Sequence, residues 1–455
     1  MKKINHFIYA TALMLSAFSF ASCSDDDEPE TPSSTTVTTE TTMTVSGVWK
    51  KGETINLDRH LVIPEGESLT IEEGVNVIVS TAGVGINHTP IEITVKGNLY
   101  CRGTKSNPVV FSVDPSKRTN ANIFAGLWGG IVATETCEEM LIDNAIIEYT
   151  GGQVIEGSPA AVAEIYTAGD DAYPQITTTN INGRYIITNS ILRNGWSDGV
   201  YLMGGQAIIA NNVFAANGFS GAEAVNLKAG VVADVFGNIM FSPNTNGLKL
   251  SSSGQSETRA QAKVNAYNNT IINAGWRRDG EKGGCIYVEK NVKVNVVNNL
   301  LVNCKFRAMT PNYKNPNMTD GGYDDSSIID YNMYASGSQK SDIVFPEESN
   351  VAYAWEGYNY SHKSYSPDID THSFISTEAN KIDPRFVNFD INSVKLTEYV
   401  YDNAWDFHLA AGSPALSGAA SSSLFTPYFA KGLSVGGSVV SSASLAPYFG
   451  AYSTK

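Results

Sequence analysis

The 455-residue sequence is short of the side chains that build metal and redox chemistry, with only five Cys and six His. Cys101, Cys137, Cys285 and Cys304 make no C-x-x-C pair and have no nearby His, so a zinc site has no support and no metal site is assigned. The same four are compatible with disulfides in an exported chain and equally with buried thiols. Positive charge is scarce too: 31 Lys and Arg against 46 Asp and Glu leave a formal charge of -15 and a pI near 4.9. That balance argues against nucleic acid and against non-specific binding of a strongly anionic partner, while leaving room for a local basic groove. Beyond the N-terminus no apolar run reaches the roughly 18 residues of a membrane helix. The mature chain is expected to be soluble apart from an anchor at its start.

What the sequence does have is a repeat. DNAII at Asp143, TNSIL at Thr188, NNVF at Asn211, GNIMF at Gly237, NNTII at Asn268, NNLLV at Asn298 and YNMY at Tyr331 are versions of one phrase. Aligning their apolar pairs puts Asn144, Asn212, Asn238, Asn269, Asn299 and Asn332 in one slot, with Ser190 there once. From Ser190 onward the slot recurs at intervals between 22 and 33 residues. A period of that size marks a solenoid, whose units bury their apolar sides only by stacking. After each phrase comes a Gly-containing turn and a short alternating strand: GVYL from Gly199, AVNL from Ala224, GLKL from Gly247, CIYV from Cys285. Another strand precedes each phrase, as in AIIA at Ala207 and VVADVF at Val231. Three short strands per turn, wound one way, describe an all-β, right-handed parallel β-helix of roughly a dozen coils. The Asn slot is expected at a bend where the left-handed conformation is tolerated, with its amides stacked into a ladder.

The N-terminus has Lys2 and Lys3, an apolar run from Phe7 to Phe20, then Ala21, Ser22 and Cys23. Those are the parts of an export signal, and the small residues before Cys23 resemble the lipobox of bacterial lipoproteins. That resemblance implies lipidation at Cys23 and an anchored protein. The acidic run Ser24 to Glu30 looks like the export signal of surface lipoproteins in Gram-negative glycan-degrading bacteria, which implies display on the outer face of the outer membrane. TVKGNLYCRGTKSNPVVFS from Thr94, DPRFVN at Asp383 and DFHLAAGSPAL at Asp406 resemble phrases of secreted right-handed β-helix proteins, polysaccharide lyases and glycosidases among them. APYFGAY at Ala446 looks like the terminal phrase of related lipoproteins. The expected organisation is a signal peptide over 1–22, an acidic and Ser/Thr-rich tether over 23–45, the β-helix over 46–335, and a β-helix continuation with an irregular capping tail over 336–455. Ala168 to Asn180 reads as a long loop thrown out between strands.

In GVYL, AVNL, GLKL and CIYV the apolar residues flank one outward position, which puts Tyr201, Asn226, Lys249 and Tyr287 in an exposed row that Arg307 continues. Coils about 4.8 Å apart would align such a row under a linear polysaccharide, whose hydroxyls bond to polar groups and whose faces stack on rings. An ordinary solvated sheet face is the plain alternative. Trp196, Phe219 and Trp276 stand at equivalent turns, as a sugar-stacking rim or as packing between coils. The long insertions Ser251 to Gln261 and Trp276 to Gly284 are expected beside this face, the second carrying Arg277, Arg278, Asp279, Glu281 and Lys282. If the chain is a lyase, Lys249, Arg277, Arg278 and Lys282 could supply charge, with Asp279 or Glu281 on a calcium ion; otherwise no cofactor is expected. No row of aspartates accompanies a Gly-His-Gly, there is no dense Asp-x-Asp loop, and DGGYDD at Asp320 is irregular. Asp198 and Glu223, at turn ends, are the nearest approach to the paired carboxylates of a glycosidase, with a capping or solvated role as the simpler reading. Three functions stay open: a surface lipoprotein binding a polysaccharide, a lyase or glycosidase working on the same face, and a structural or adhesive protein.

Overall fold

The computed structural model describes residues 34–280, 282–305, 323–339, 369–377 and 379–455. The expectations for the signal peptide, Cys23 and the acidic run, and those for Glu281 and Arg307, lie outside the described residues. So do the first three residues of DGGYDD.

Short strands recur three to a coil and pair coil to coil, giving a parallel β-helix with three faces. The first sheet includes Ile131–Ala133, Ile176–Thr178, Val200–Leu202, Val225–Leu227, Asn246–Ser251 and Gly284–Glu289, all parallel and in continuous register. The second includes Glu139–Asp143, Arg184–Thr188, Gly205–Ala210, Val231–Phe236, Lys263–Tyr267 and Lys293–Val297. Among the described residues the third has 11 strands, ending with Phe374–Ile375 on Met333–Ala335. Period-two alternation sends Val200, Leu202, Val225, Leu227, Leu248 and Leu250 into one buried core and their intervening neighbours outward. Cys101, Cys137, Cys285 and Cys304 are all buried in that core.

The ladder is present with its register corrected by one residue at the start. Asn212, Asn238, Asn269 and Asn299 each donate Nδ2–H to the Oδ1 of the next coil's Asn, at 2.9 to 3.0 Å, ending on Asn332. All five are fully buried. Ala145, not Asn144, pairs with the Ser190 rung. The left-handed residue is the one before each rung: Asn144, Asn189, Asn211, Gly237, Asn268, Asn298 and Tyr331 all have positive φ. The two roles fall on adjacent residues because the bend turns the chain and the following amide points inward.

Two boundaries differ from expectation. The Ser/Thr-rich segment is already folded from Thr35–Thr38, which pairs antiparallel with Thr42–Trp49, since β-branched threonines suit a strand without apolar periodicity. The C-terminal region adds one strand to the third sheet, Phe374–Ile375, and among the described residues the tail beyond it stacks no further coils. It runs back along the outside, where Phe386, Phe389, Phe407 and Phe449 cover Phe241, Ile272, Leu300 and Val302 of the third sheet. Phe429, Leu433, Val435 and Leu445 likewise cover Leu141, Ile186, Ile208 and Phe236 of the second. Those outward residues are apolar and would otherwise face water.

Candidate functional site

The first sheet is the face that the tail clusters leave alone. Its outward row runs in direct register through Thr94, Val132, Thr177, Tyr201, Asn226, Lys249 and Tyr287. Over Val132 lies an insertion between the third-sheet strand Ala145–Glu148 and Ile176–Thr178, with a short helix Pro159–Val162. Val154, Ala160 and Tyr173 pack on Val132, and the hydroxyls of Tyr166 and Thr177 are 2.6 Å apart. Glu92 sits beneath this roof, accepting from Thr94, Ala160 and Tyr173 at 2.6 to 2.9 Å, and burial pushes its carboxyl up. Ile176–Thr178, expected inside a loop, is a strand of the sheet; the loop lies before it.

The roof stops at Tyr201, whose ring meets Tyr166 edge-on at 6.5 Å. There a cleft of about 620 Å³ opens between the roof residues Ile165, Tyr166, Asp170 and Asp171 and the coil turns carrying Trp196, Asp198, Ser220 and Glu223. Gly151 lets the roof begin tight against Trp196: a Cβ there would lie 2.5 Å from the tryptophan's own.

Asp198 and Glu223 are neither solvated nor separate. Each stands two residues before a first-sheet valine, Val200 and Val225, and these are register partners, so the carboxyls occupy one slot of adjacent coils. Asp198 Oδ1 accepts from the Glu223 amide at 2.6 Å. The Asn226 side chain donates to Glu223 Oε2 at 3.1 Å and lies 3.4 Å from Asp198 Oδ2, while Asn246 donates to Glu223 Oε1 at 3.1 Å. Burial, then repulsion from Glu223 and a hydrogen bond to it, hold the Asp198 carboxyl well above the usual carboxylate range. Burial also lifts the Tyr201 hydroxyl.

Further along the row Lys249 lies 3.6 Å from Glu289 and over the Tyr287 ring at 5.5 Å. Lys228 lies over the Tyr201 ring at 5.4 Å, and burial, then the neighbouring Lys249, lower its pKa. Polar, aromatic and charged groups thus continue from the cleft for three coils.

The turn aromatics divide. Trp196 and Phe219 stack across adjacent coils at 4.6 Å, and Phe219 stays 50% exposed. Trp276 is buried and its indole N–H donates to the Asn303 carbonyl. Arg277 is also absorbed by the fold: it donates to Gly218 O at 2.8 Å and Ser242 O at 2.7 Å and lies over Phe124 at 4.7 Å. Burial lowers it to about 10. Arg278 donates to Ser220 O at the cleft rim. Lys305, one of the largest fully buried side chains, donates to the carbonyls of Arg278 at 2.8 Å and Lys282 at 3.0 Å and so pins the loop that holds Asp279. Among the described residues no group of three or more His, Cys, Asp or Glu could hold a metal ion.

Sequence reasoning aligned the row and named Asp198 and Glu223 as the nearest approach to a carboxyl pair, but favoured a capping or solvated role for them, and it missed the roof wall. The signal for the pair was in hand, three residues before Tyr201 and three before Asn226; the roof carries no repeat to register it.

A family model described as a pectate-lyase like beta helix domain matches residues 40–145. That stretch covers the early coils and ends before the cleft. Comparison with curated proteins and with solved structures gives no match. The chain is an all-β parallel β-helix, and the matched domain fits a polysaccharide-related function.

Proposed function

We propose that this protein holds a polysaccharide along the first sheet, from the cleft at Trp196 and Tyr201 across Asn226 and Lys249 to Tyr287, and that it does so at the cell surface, tethered to the outer membrane through a lipid on Cys23. The observation that carries the reading is the in-register row of polar and aromatic groups on the one face that the tail clusters do not cover. Rings stack on sugar faces and amides and ammonium groups bond to hydroxyls. A row repeating at the coil spacing suits a ligand that is itself a repeat.

The test is a glycan-array screen followed by titration calorimetry of each hit. Tyr201→Ala and Tyr287→Ala are each expected to weaken binding by about 1 kcal/mol. Binding unchanged in the double variant moves the ligand off this face, and no binding to any glycan sinks the reading. Metabolic lipid labelling that persists in Cys23→Ala would remove the anchor.

A further inference from the structure

We propose that the cleft beside Tyr201 hydrolyses glycosidic bonds, with Asp198 as acid and Asp171 as base, and that the sugar it takes carries no carboxylate. The proposal rests on the glycan reading above and deepens it.

The pair divides its roles by its hydrogen bonds. Both oxygens of Glu223 accept side-chain N–H groups at 3.1 Å, from Asn226 and Asn246, whereas Asp198 accepts the Glu223 amide at 2.6 Å and has only a long 3.4 Å contact from Asn226 on its other oxygen. Two carboxyls in contact do not both ionise, and the proton therefore rests on Asp198. Environments that push two acids apart mark an acid and a base in hydrolytic sites. A second observation points to a ligand. The Oδ1 of Asn226, a residue only 4% exposed and set in the outward row between Tyr201 and Lys249, is buried with no hydrogen-bond partner. Its amide N–H is spent on the carboxyl pair, so the oxygen, next in the row to the cleft residue Tyr201, still lacks the donor that a sugar hydroxyl or a water would supply.

The opposite wall supplies the base. Asp171 lines the same cleft from the roof, with one oxygen held by the Thr167 amide at 2.9 Å. In the step, Asp198 gives its proton to the glycosidic oxygen as the bond to the anomeric carbon breaks. A water oxygen bonds to that carbon and its proton passes to Asp171. Solvent then returns a proton to Asp198 and takes one from Asp171, and the net change is addition of one water across the bond. An acid and a base on opposite walls of a cleft is the layout that inverting hydrolysis uses, with a water between them.

Charge selects the sugar. The cleft is lined by Asp170, Asp171, Asp198 and Glu223 and by no Lys or Arg. Lys228 acts on the pair from the adjoining row, itself beside Lys249, whose partner is Glu289; Arg278 reaches the rim with its guanidinium spent on the Ser220 carbonyl, Arg259 acts on Tyr201 from outside the lining, and Tyr166 and Tyr201 add neutral hydroxyls. A uronate carboxylate would meet four acids there, whereas a neutral sugar meets hydrogen-bond partners.

The experiment incubates the protein with arabinan, galactan, xylan, mannan and β-glucan, and with polygalacturonate and alginate, reading new reducing ends and ultraviolet-absorbing unsaturated products. New reducing ends from a neutral polysaccharide, and neither product from the uronates, are expected. Asp198→Asn keeps the acceptor for the Glu223 amide and mimics the protonated acid; it should slow cleavage at least about a hundredfold with affinity within about threefold. Asp171→Asn, on the surface roof, should do the same, and wild-type activity should fall as pH rises through the titration of Asp198. A neutral polysaccharide that is bound and left uncut overturns the inference while sparing the glycan reading. Cleavage of the uronates, or wild-type rates in both variants, also overturns it. Failure to bind any of the polysaccharides overturns both.

Discussion

Asp234 on the second sheet and Asp198 beside the first are both buried carboxyls, and they are satisfied in opposite ways. Asp234 accepts the backbone amides of Tyr428 and Phe429, at 3.2 and 2.9 Å, and the Asn265 side chain at 2.7 Å. Every one of those donors belongs to the fold, and two come from the tail that covers the sheet. Asp198 takes one backbone amide, and its remaining partners are another carboxyl and an Asn that has an oxygen left over. A carboxylate that holds a covering segment is architecture; one held neutral at the foot of an open cleft is available for chemistry. The apolar outward rows of the second and third sheets were completed by the tail, whereas on the first sheet only Val132 is hidden, by the roof, and from Tyr201 to Tyr287 the row stays polar and aromatic.

The largest effect should come from breaking the covered side. Asp234→Ala leaves two buried amides and a side-chain N–H without an acceptor, which should cost at least about 3 kcal/mol at roughly 1 to 3 for each buried orphan. Urea unfolding and proteolysis of the tail would show it. A loss under about 1 kcal/mol would mean that the tail is not held through this carboxylate. Next is the ladder, which serves all faces. Asn238 donates to Asn269 Oδ1 and Ile209 O and accepts from the Asn212 amide. Asn238→Leu should cost about 2 to 3 kcal/mol, with a cooperative transition shifted in thermal melts.

How much of this contrast could be read from the chain depends on what repeats. Asn212 through Asn332 and the row Tyr201 to Tyr287 were legible because stacking forces one geometry on every coil, so spacing alone aligned them. Asn144 was misplaced by one residue, because an Asn before the bend and an Asn after it look alike in a phrase such as NN. Arg277 looked available to a ligand because it sits in a charged insertion, and Trp276 could be a rim or packing between coils; their burial is set by Phe124, Tyr399 and Asn303, all distant in sequence. The roof over Val132 and the path of the tail are single-copy features, and no period announces what they cover.

Titration sharpens the comparison with a smaller effect. Asp198 has its folded pKa raised, mainly by burial. It binds a proton more tightly folded than unfolded, so its stabilising contribution is complete below the unfolded value, about 3.9, and is lost as pH rises through the folded pKa. The stability of Asp198→Asn relative to wild type should therefore improve with rising pH above about 4, by at most about 1.4 kcal/mol per pH unit. His60, lowered to about 4 by burial, acts oppositely: its contribution is complete above about 6.5 and is lost as pH falls towards the folded value. Measuring the difference between variant and wild type from pH 4 to 8 isolates Asp198, since His60 is common to both. A flat difference would place the proton elsewhere.

The smallest effect is expected in the open row itself. Lys249 has a side chain 23% exposed, paired with Glu289 at 3.6 Å and lying over Tyr287. A partly exposed pair of this kind contributes about 0.5 kcal/mol or less after side-chain entropy and screening, and the cation–π contact adds a similar amount at a surface. Lys249→Ala should thus lower unfolding free energy by no more than about 1 kcal/mol, several times less than Asp234→Ala on the covered side. The same substitution should weaken polysaccharide binding, because the ammonium group is one of four side chains that the row offers. A variant that unfolds as readily as Asp234→Ala would make Lys249 a structural residue and the first sheet no different in kind from the second. One that keeps its stability and loses affinity would fix the division between the face that holds the protein together and the face that holds something else.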